Sequence, residues 1–82
     1  MKKTAQEKFN FIVDYYSLDT GILVECLGYD EQSAFDLFAG NIEADEWVVD
    51  TLLNKIDEAH EYSHAYWQGF QREYAEFTGQ LN

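Results

Sequence analysis

The sequence contains no proline and a single cysteine, Cys26. One cysteine excludes an intramolecular disulfide, so the fold cannot rest on bridges. That composition suits a cytoplasm. Basic residues are almost as scarce: Lys2, Lys3, Lys8, Lys55 and Arg72 are the whole set. Between Lys8 and Lys55 there is no lysine or arginine. Nucleic-acid affinity comes largely from such side chains neutralising phosphates, so direct nucleic-acid binding is not expected. An anionic membrane surface is disfavoured for the same reason. Long apolar runs are also missing. No segment reaches the ~18 consecutive apolar residues of a transmembrane helix. No apolar signal core follows Met1-Lys2-Lys3, so the expectation is an unexported, cytoplasmic chain without a membrane span. No linker, low-complexity run or internal repeat is present.

What the sequence does have is acid. Sixteen Asp and Glu give a formal net charge of -11. Ten of them fall in the stretch without a base: Asp14, Asp19, Glu25, Asp30, Glu31, Asp36, Glu43, Asp45, Glu46 and Asp50. Basic surfaces are the natural partners of such a chain. The hydrophobic fraction is 46% and the aromatic fraction 17%, enough to fold. At 82 residues this is one domain with a small core, which excludes two-lobed cofactor enzymes, barrels and doubly wound sheets.

The periodicity is helical throughout. Thr4 and Glu7 form a capping box ahead of Phe9, Ile12, Val13 and Tyr16, placing a first helix at about residues 5–17. Asp19 or Thr20 caps a second helix that carries Ile22, Leu23 and Leu27 and stops at Gly28. Asp30 caps a third that carries Ala34, Leu37 and Phe38, with Gly40 as its stop. Asp45 caps a fourth, with Val48, Val49, Leu52, Leu53 and Ile56. From Val49 the three-four spacing continues through Tyr66 and Phe70 to Phe77. This permits a single helix of roughly 50 Å or a break near Asp57 and a fifth helix. No alternating run bounded by turn residues competes. The expected class is all-α: a small four- to five-helix bundle containing a helix-turn-helix, with a long C-terminal helix.

Residues 18–40, LDTGILVECLGYDEQSAFDLFAG, carry a more specific pattern. Leu18, Leu23-Val24, Leu27-Gly28, Tyr29, Ala34, Leu37 and Gly40 fall at the spacing of the Cro/lambda-repressor (XRE) helix-turn-helix family, which this segment resembles. Trp47 to Ile56 resembles the family's next helix, so the likeness covers residues 5–56. The expected layout is one helical domain over residues 1–82, with a helix-turn-helix core at 5–56 from the resemblance and a C-terminal helix at 57–79 from the periodicity. In DNA-reading members the third helix lies in the major groove. Here that face would carry Glu31, Gln32, Ser33, Phe35 and Asp36. Glu31 and Asp36 would face phosphates with like charge, and Phe35 stands where the family usually has a polar residue.

The resemblance therefore implies a helix-turn-helix scaffold whose reading surface has changed sign. Acids spaced along helices can imitate a phosphate backbone and occupy a basic groove. The expectation is a non-catalytic regulatory or inhibitory protein for a basic, nucleic-acid-binding partner. Its class would be that of DNA mimics, antirepressors and anti-CRISPR proteins of phages and mobile elements. Glu25, Asp30, Glu31, Gln32, Phe35 and Asp36 are its candidate contacts. The alternative is a small XRE-type transcription regulator. In it Gln32 and Ser33 would contact bases and Thr20 a phosphate, with Lys2, Lys3 and Lys8 as a charged N-terminal arm.

Two further features bear on chemistry. Tyr62, Tyr66, Trp67, Phe70, Tyr74 and Phe77 recur at spacings of three or four. This stripe either faces a second copy or a partner, with Tyr66, Trp67, Phe70 and Tyr74 as the contacts, or finishes the core against the Phe9 to Tyr16 stripe of the first helix. His60-Glu61-Tyr62-Ser63-His64 fits the HExxH zinc pattern, with His60 and His64 one turn apart. No further histidine supplies a third ligand, and Trp67 occupies the place of the glycine in the longer variant of the motif. The expectation is no cofactor, no metal centre and no enzyme activity. Cys26, among apolar neighbours, is expected to be a core thiol.

Overall fold

The first four helices each begin on a side chain that accepts a hydrogen bond from the helix's own exposed N–H groups. The computed structural model describes residues 3–59, 61 and 63–79. Among these residues the secondary structure is five α-helices and no strand. They are α1 (Ala5–Tyr16), α2 (Thr20–Leu27), α3 (Glu31–Ala39), α4 (Glu46–Glu58) and α5 (His64–Thr78). Thr4 and Glu7 complete the capping box of α1: Glu7 N–H donates to Thr4 Oγ1 at 3.1 Å and Thr4 N–H to Glu7 Oε1 at 2.9 Å. Asp19, Asp30 and Asp45 accept from Ile22, Ser33 and Val48 N–H at 3.0, 2.7 and 3.1 Å. Helices α2 and α3 stop at Gly28 (φ 71°) and Gly40 (φ 83°), in the left-handed region that a side chain disfavours. Ser17 closes α1 at φ 52° without being a glycine.

The core is assembled from one stripe of each helix. Phe9, Ile12 and Val13 of α1 meet Leu23 and Leu27 of α2, Ala34 and Leu37 of α3, Val48, Val49 and Leu52 of α4, and Phe70 of α5. Helix α2 packs on α3 and α4, and α1 packs on α4 and α5. The connector before α4 contributes Ala44, whose N–H donates to Gln6 Oε1 at 2.6 Å. Two of the apolar residues these helices carry lie outside: Ile22 and Phe38 are 36% and 43% exposed. In α3 the inward positions are Ala34 and Leu37, and one residue further along the helix is a rotation of about 100°, which turns Phe38 out. Among the described residues no helix is long and apolar enough to cross a membrane.

The continuous 50 Å helix is not formed. Helix α4 ends at Glu58 and α5 begins at His64. Nothing in the sequence forces the break, since neither Pro nor Gly lies between Ile56 and Gly69. Packing accounts for it. A straight helix would carry Phe70 away from the body. Folding back seats it fully buried among Phe11, Tyr15 and Tyr16, with ring centroids 6.2, 5.3 and 5.1 Å away. Burying one Phe contributes about 1.5–3 kcal/mol, and each edge or tilted ring pair about 0.5–1.5 kcal/mol more. Tyr74 lies against Phe11 and Phe70, and Phe77 stacks on Phe11 at 4.5 Å. Trp67 Nε1–H donates to Asp57 Oδ1 at 3.0 Å, tying α5 to α4.

Tyr15 is the polar centre of this seam. Its carbonyl accepts from the Tyr66 hydroxyl. Its own hydroxyl is hydrogen-bonded to Glu73, and that bond, with desolvation and the Glu73 charge, pushes its pKa up to about 12. Gly69 makes room for it: a Cβ at Gly69 would stand 3.1 Å from the Tyr15 hydroxyl.

Phe70→Ala should lower the unfolding free energy by about 3–5 kcal/mol in urea titration, the range for a buried aromatic. A change below about 1 kcal/mol would place Phe70 outside the core. A tyrosine held protonated by the fold stabilises it fully below its ordinary value of 10, and that stability is lost as pH rises through about 12. Burial also pushes the Tyr16 and Tyr74 hydroxyls up, so spectrophotometric titration should find a late-titrating group of tyrosines, and Glu73→Gln should bring the Tyr15 component back toward 10.

Candidate interaction surface

The α2–α3 pair is joined by the turn at residues 28–30. Its inward stripe is fixed by Leu23, Leu27, Ala34 and Leu37, so residues one step off that stripe face outward. From α2 these are Thr20, Gly21, Val24 and Glu25, and from α3 Glu31, Gln32 and Phe35. The seven residues line an open cleft of about 650 Å³. Phe35 is 57% exposed. No lysine or arginine lines the cleft. Of the residues named from sequence, Glu25, Glu31, Gln32, Phe35 and Thr20 are brought together here.

Asp30, Asp36 and Ser33 stand apart from it. Asp30 is the N-cap of α3, and the Ser33 N–H bond holds its carboxyl below the usual carboxylate range. Asp36 is half-buried, and its Oδ1 accepts from Gln32 Nε2 at 3.1 Å and Asn41 Nδ2 at 3.2 Å. Its carboxylate is engaged in closing α3 as well as facing outward. Ser33 is half-buried and lends its N–H to the Asp30 cap.

The lysines expected on a free N-terminal arm are otherwise placed. Lys8 lies inside α1 and pairs with Glu46 across to α4 at 3.3 Å. Lys3 sits 4.7 Å over the Phe77 ring. Lys2 falls outside the described residues.

The aromatic stripe of α5 requires a correction. Phe70, expected on a dimer or partner surface, is a fully buried core residue. Tyr74 is half-buried and turned onto Phe11 and Phe70, and Trp67 is half-buried against α4. Tyr66 remains 45% exposed, with its ring against Tyr15 and Tyr16. The stripe turns inward because the outer face of α1 is itself aromatic and has no other cover.

Sequence reasoning missed a second set of exposed apolar side chains. Phe38, Ile42 and Trp47 are 43%, 42% and 52% exposed. Phe38 lies three residues after Phe35 and shares its flank of α3, a signal that the 3.6 period carries. Trp47 stacks on Tyr29 with centroids 6.2 Å apart, bridging the start of α4 to the α2–α3 turn. On another side, Leu18, Ile22, Cys26, Leu52, Ile56 and Trp67 line most of an apolar recess of about 220 Å³. Cys26 is half-buried there rather than sealed in the core.

His64 opens α5 and its ring lies 5.7 Å from that of Trp67. His60 falls outside the described residues. Among the described residues no group of three or more His, Cys, Asp or Glu is placed to hold a metal ion.

The chain matches no protein-family model, no curated protein and no solved structure.

A cap whose carboxyl is held below its ordinary value stabilises the fold above that value, 3.8 for Asp30, and loses the contribution as pH falls through the lowered one. Denaturation midpoints measured from about pH 6 to about pH 3 should therefore fall less steeply in Asp30→Asn, which caps without titrating. Equal slopes would show that Asp30 is not engaged.

Proposed function

We propose that this is a non-catalytic acidic protein that binds a basic, nucleic-acid-binding protein through its helix-turn-helix-like α2–α3 face. The observation that carries the proposal is the cleft: Glu25, Glu31, Gln32 and an exposed Phe35 on one surface, with no cation beside them. Carboxylates supply the charge pattern that draws in a basic groove and discriminates against acidic partners. A protruding aromatic ring supplies the apolar anchor that protein interfaces use and that a phosphate backbone cannot reward. The net charge of -11 gives the encounter long reach at low salt. In this role the chain would compete with nucleic acid for its partner. It would act in the cytoplasm, as antirepressors and anti-CRISPR proteins of phages and mobile elements do. Its class is similar to theirs in size and charge.

The DNA-reading alternative has less support, because Lys3 and Lys8 are engaged within the chain and Glu25 and Glu31 flank Gln32 in the same cleft.

Fluorescence anisotropy of random duplex DNA at about 20 mM salt, where phosphate contacts are strongest, should show no binding up to high micromolar protein. Affinity capture should retain a basic protein that duplex DNA displaces, and Phe35→Ala combined with Glu31→Lys should abolish the capture. Direct DNA binding that collapses as salt is added would replace this proposal with the transcription-regulator one.

A further inference from the structure

We infer that the α2–α3 cleft is a seat for an arginine side chain of the partner, with the guanidinium edge on Glu25 and Glu31 and its plane against Phe35. The inference rests on the α2–α3 face being the interaction surface, and it specifies the chemistry that this surface recognises. Three observations support it. First, the two carboxylates that line the cleft come from different helices, Glu25 from α2 and Glu31 from α3. Neither has a hydrogen bond or ion pair with another described residue, in contrast to Asp19, Asp30, Asp36, Asp45 and Glu46. Second, Phe35 follows Glu31 by four residues, one turn further along α3, and lines the same cleft at 57% exposure. Third, the amide of Gln32 is oriented: its Nε2 donates to Asp36 Oδ1 at 3.1 Å, which leaves its carbonyl oxygen as an acceptor.

A site of two carboxylates, one amide oxygen and one ring face asks for a cation that is flat, carries several in-plane donors and tolerates contact with an aromatic surface. Guanidinium meets all three conditions. It forks onto carboxylates through paired N–H groups, and its weakly hydrated face stacks on rings. Lysine's ammonium is a compact, strongly hydrated point charge without a plane. A divalent metal ion would gain nothing from the phenyl ring and would need more oxygen ligands than the cleft offers. The cleft, about 650 Å³ and open to solvent, has room for a side chain together with the backbone that carries it.

The probes are two nine-residue peptides of equal charge, oligoarginine and oligolysine. Each is titrated into the full chain and followed by amide NMR shifts at about 50 mM salt, where charge attraction is retained. Oligoarginine should bind about fivefold more tightly than oligolysine, the size of an exposed cation–π contact. The largest shifts should fall on Val24, Glu25, Glu31, Gln32 and Phe35. Phe35→Ala should erase the preference for arginine while leaving oligolysine affinity in place, and its preserved shift dispersion would show an intact fold. Equal affinity for the two peptides, with shifts spread over all acidic residues, would overturn the arginine seat and leave a merely electrostatic interaction surface. Failure of both peptides to shift α2 and α3 would overturn the seat and the proposed interaction surface together.

Discussion

Helix α1 is packed from two sides, and the other elements are arranged by what it needs covered. One face carries Phe9, Ile12 and Val13 into the core against α4 and, through α4, against α2 and α3. The other carries Phe11, Tyr15 and Tyr16, which would lie open to water without α5. A helix with apolar side chains on both faces cannot sit at the edge of a single layer. The chain resolves this by breaking after α4 and bringing the C-terminal aromatics back. The length of α5, the direction of its rings and the absence of a side chain at Gly69 all follow from that demand.

The carboxylates divide into two populations. Some are structural: Glu7, Asp19, Asp30 and Asp45 start helices, Asp36 helps to close one, Asp57 holds Trp67 and Glu46 holds Lys8. These ligate N–H groups and cations of the chain itself, so their charge is partly neutralised locally. Glu25 and Glu31 have no such engagement among the described residues, nor do Asp14, Glu43 and Asp50, and the pair is set apart by sharing one cleft with Phe35. Charge alone would not distinguish the two populations, because both contribute equally to the net value of -11. Hydrogen-bond geometry does.

The helix starts were legible in the sequence because capping is local chemistry: a Thr or Asp, three residues and an N–H. Stops at Gly28 and Gly40 were legible for the same reason. The exposure of Phe35 was implied by the helix-turn-helix resemblance, which sets Ala34 and Leu37 at the buried positions. What was not legible required knowledge of partners distant along the chain. Phe38 reads as core by type, and its outward turn depends on where the α3 stripe points. The stripe from Tyr66 to Tyr74 reads equally as cover for α1 or as a surface for another molecule, since ring spacing is the same in both. The break before α5 has no Pro or Gly to mark it, because it results from ring packing rather than from backbone chemistry. Ala44 gave no signal at all; it is buried by a contact with Gln6, far away in sequence.

That contact, with the stack of Trp47 on Tyr29, sets how α3 is offered to another molecule. The turn before α3 is braced by the Tyr29 ring, and the connector after it is fastened to α1 through Gln6. A short helix held at both ends has little backbone freedom left to lose when something lands on it. Ordering of flexible segments is one of the larger entropic penalties of association. Here that penalty is met in part during folding, so the face proposed for recognition is braced before any encounter.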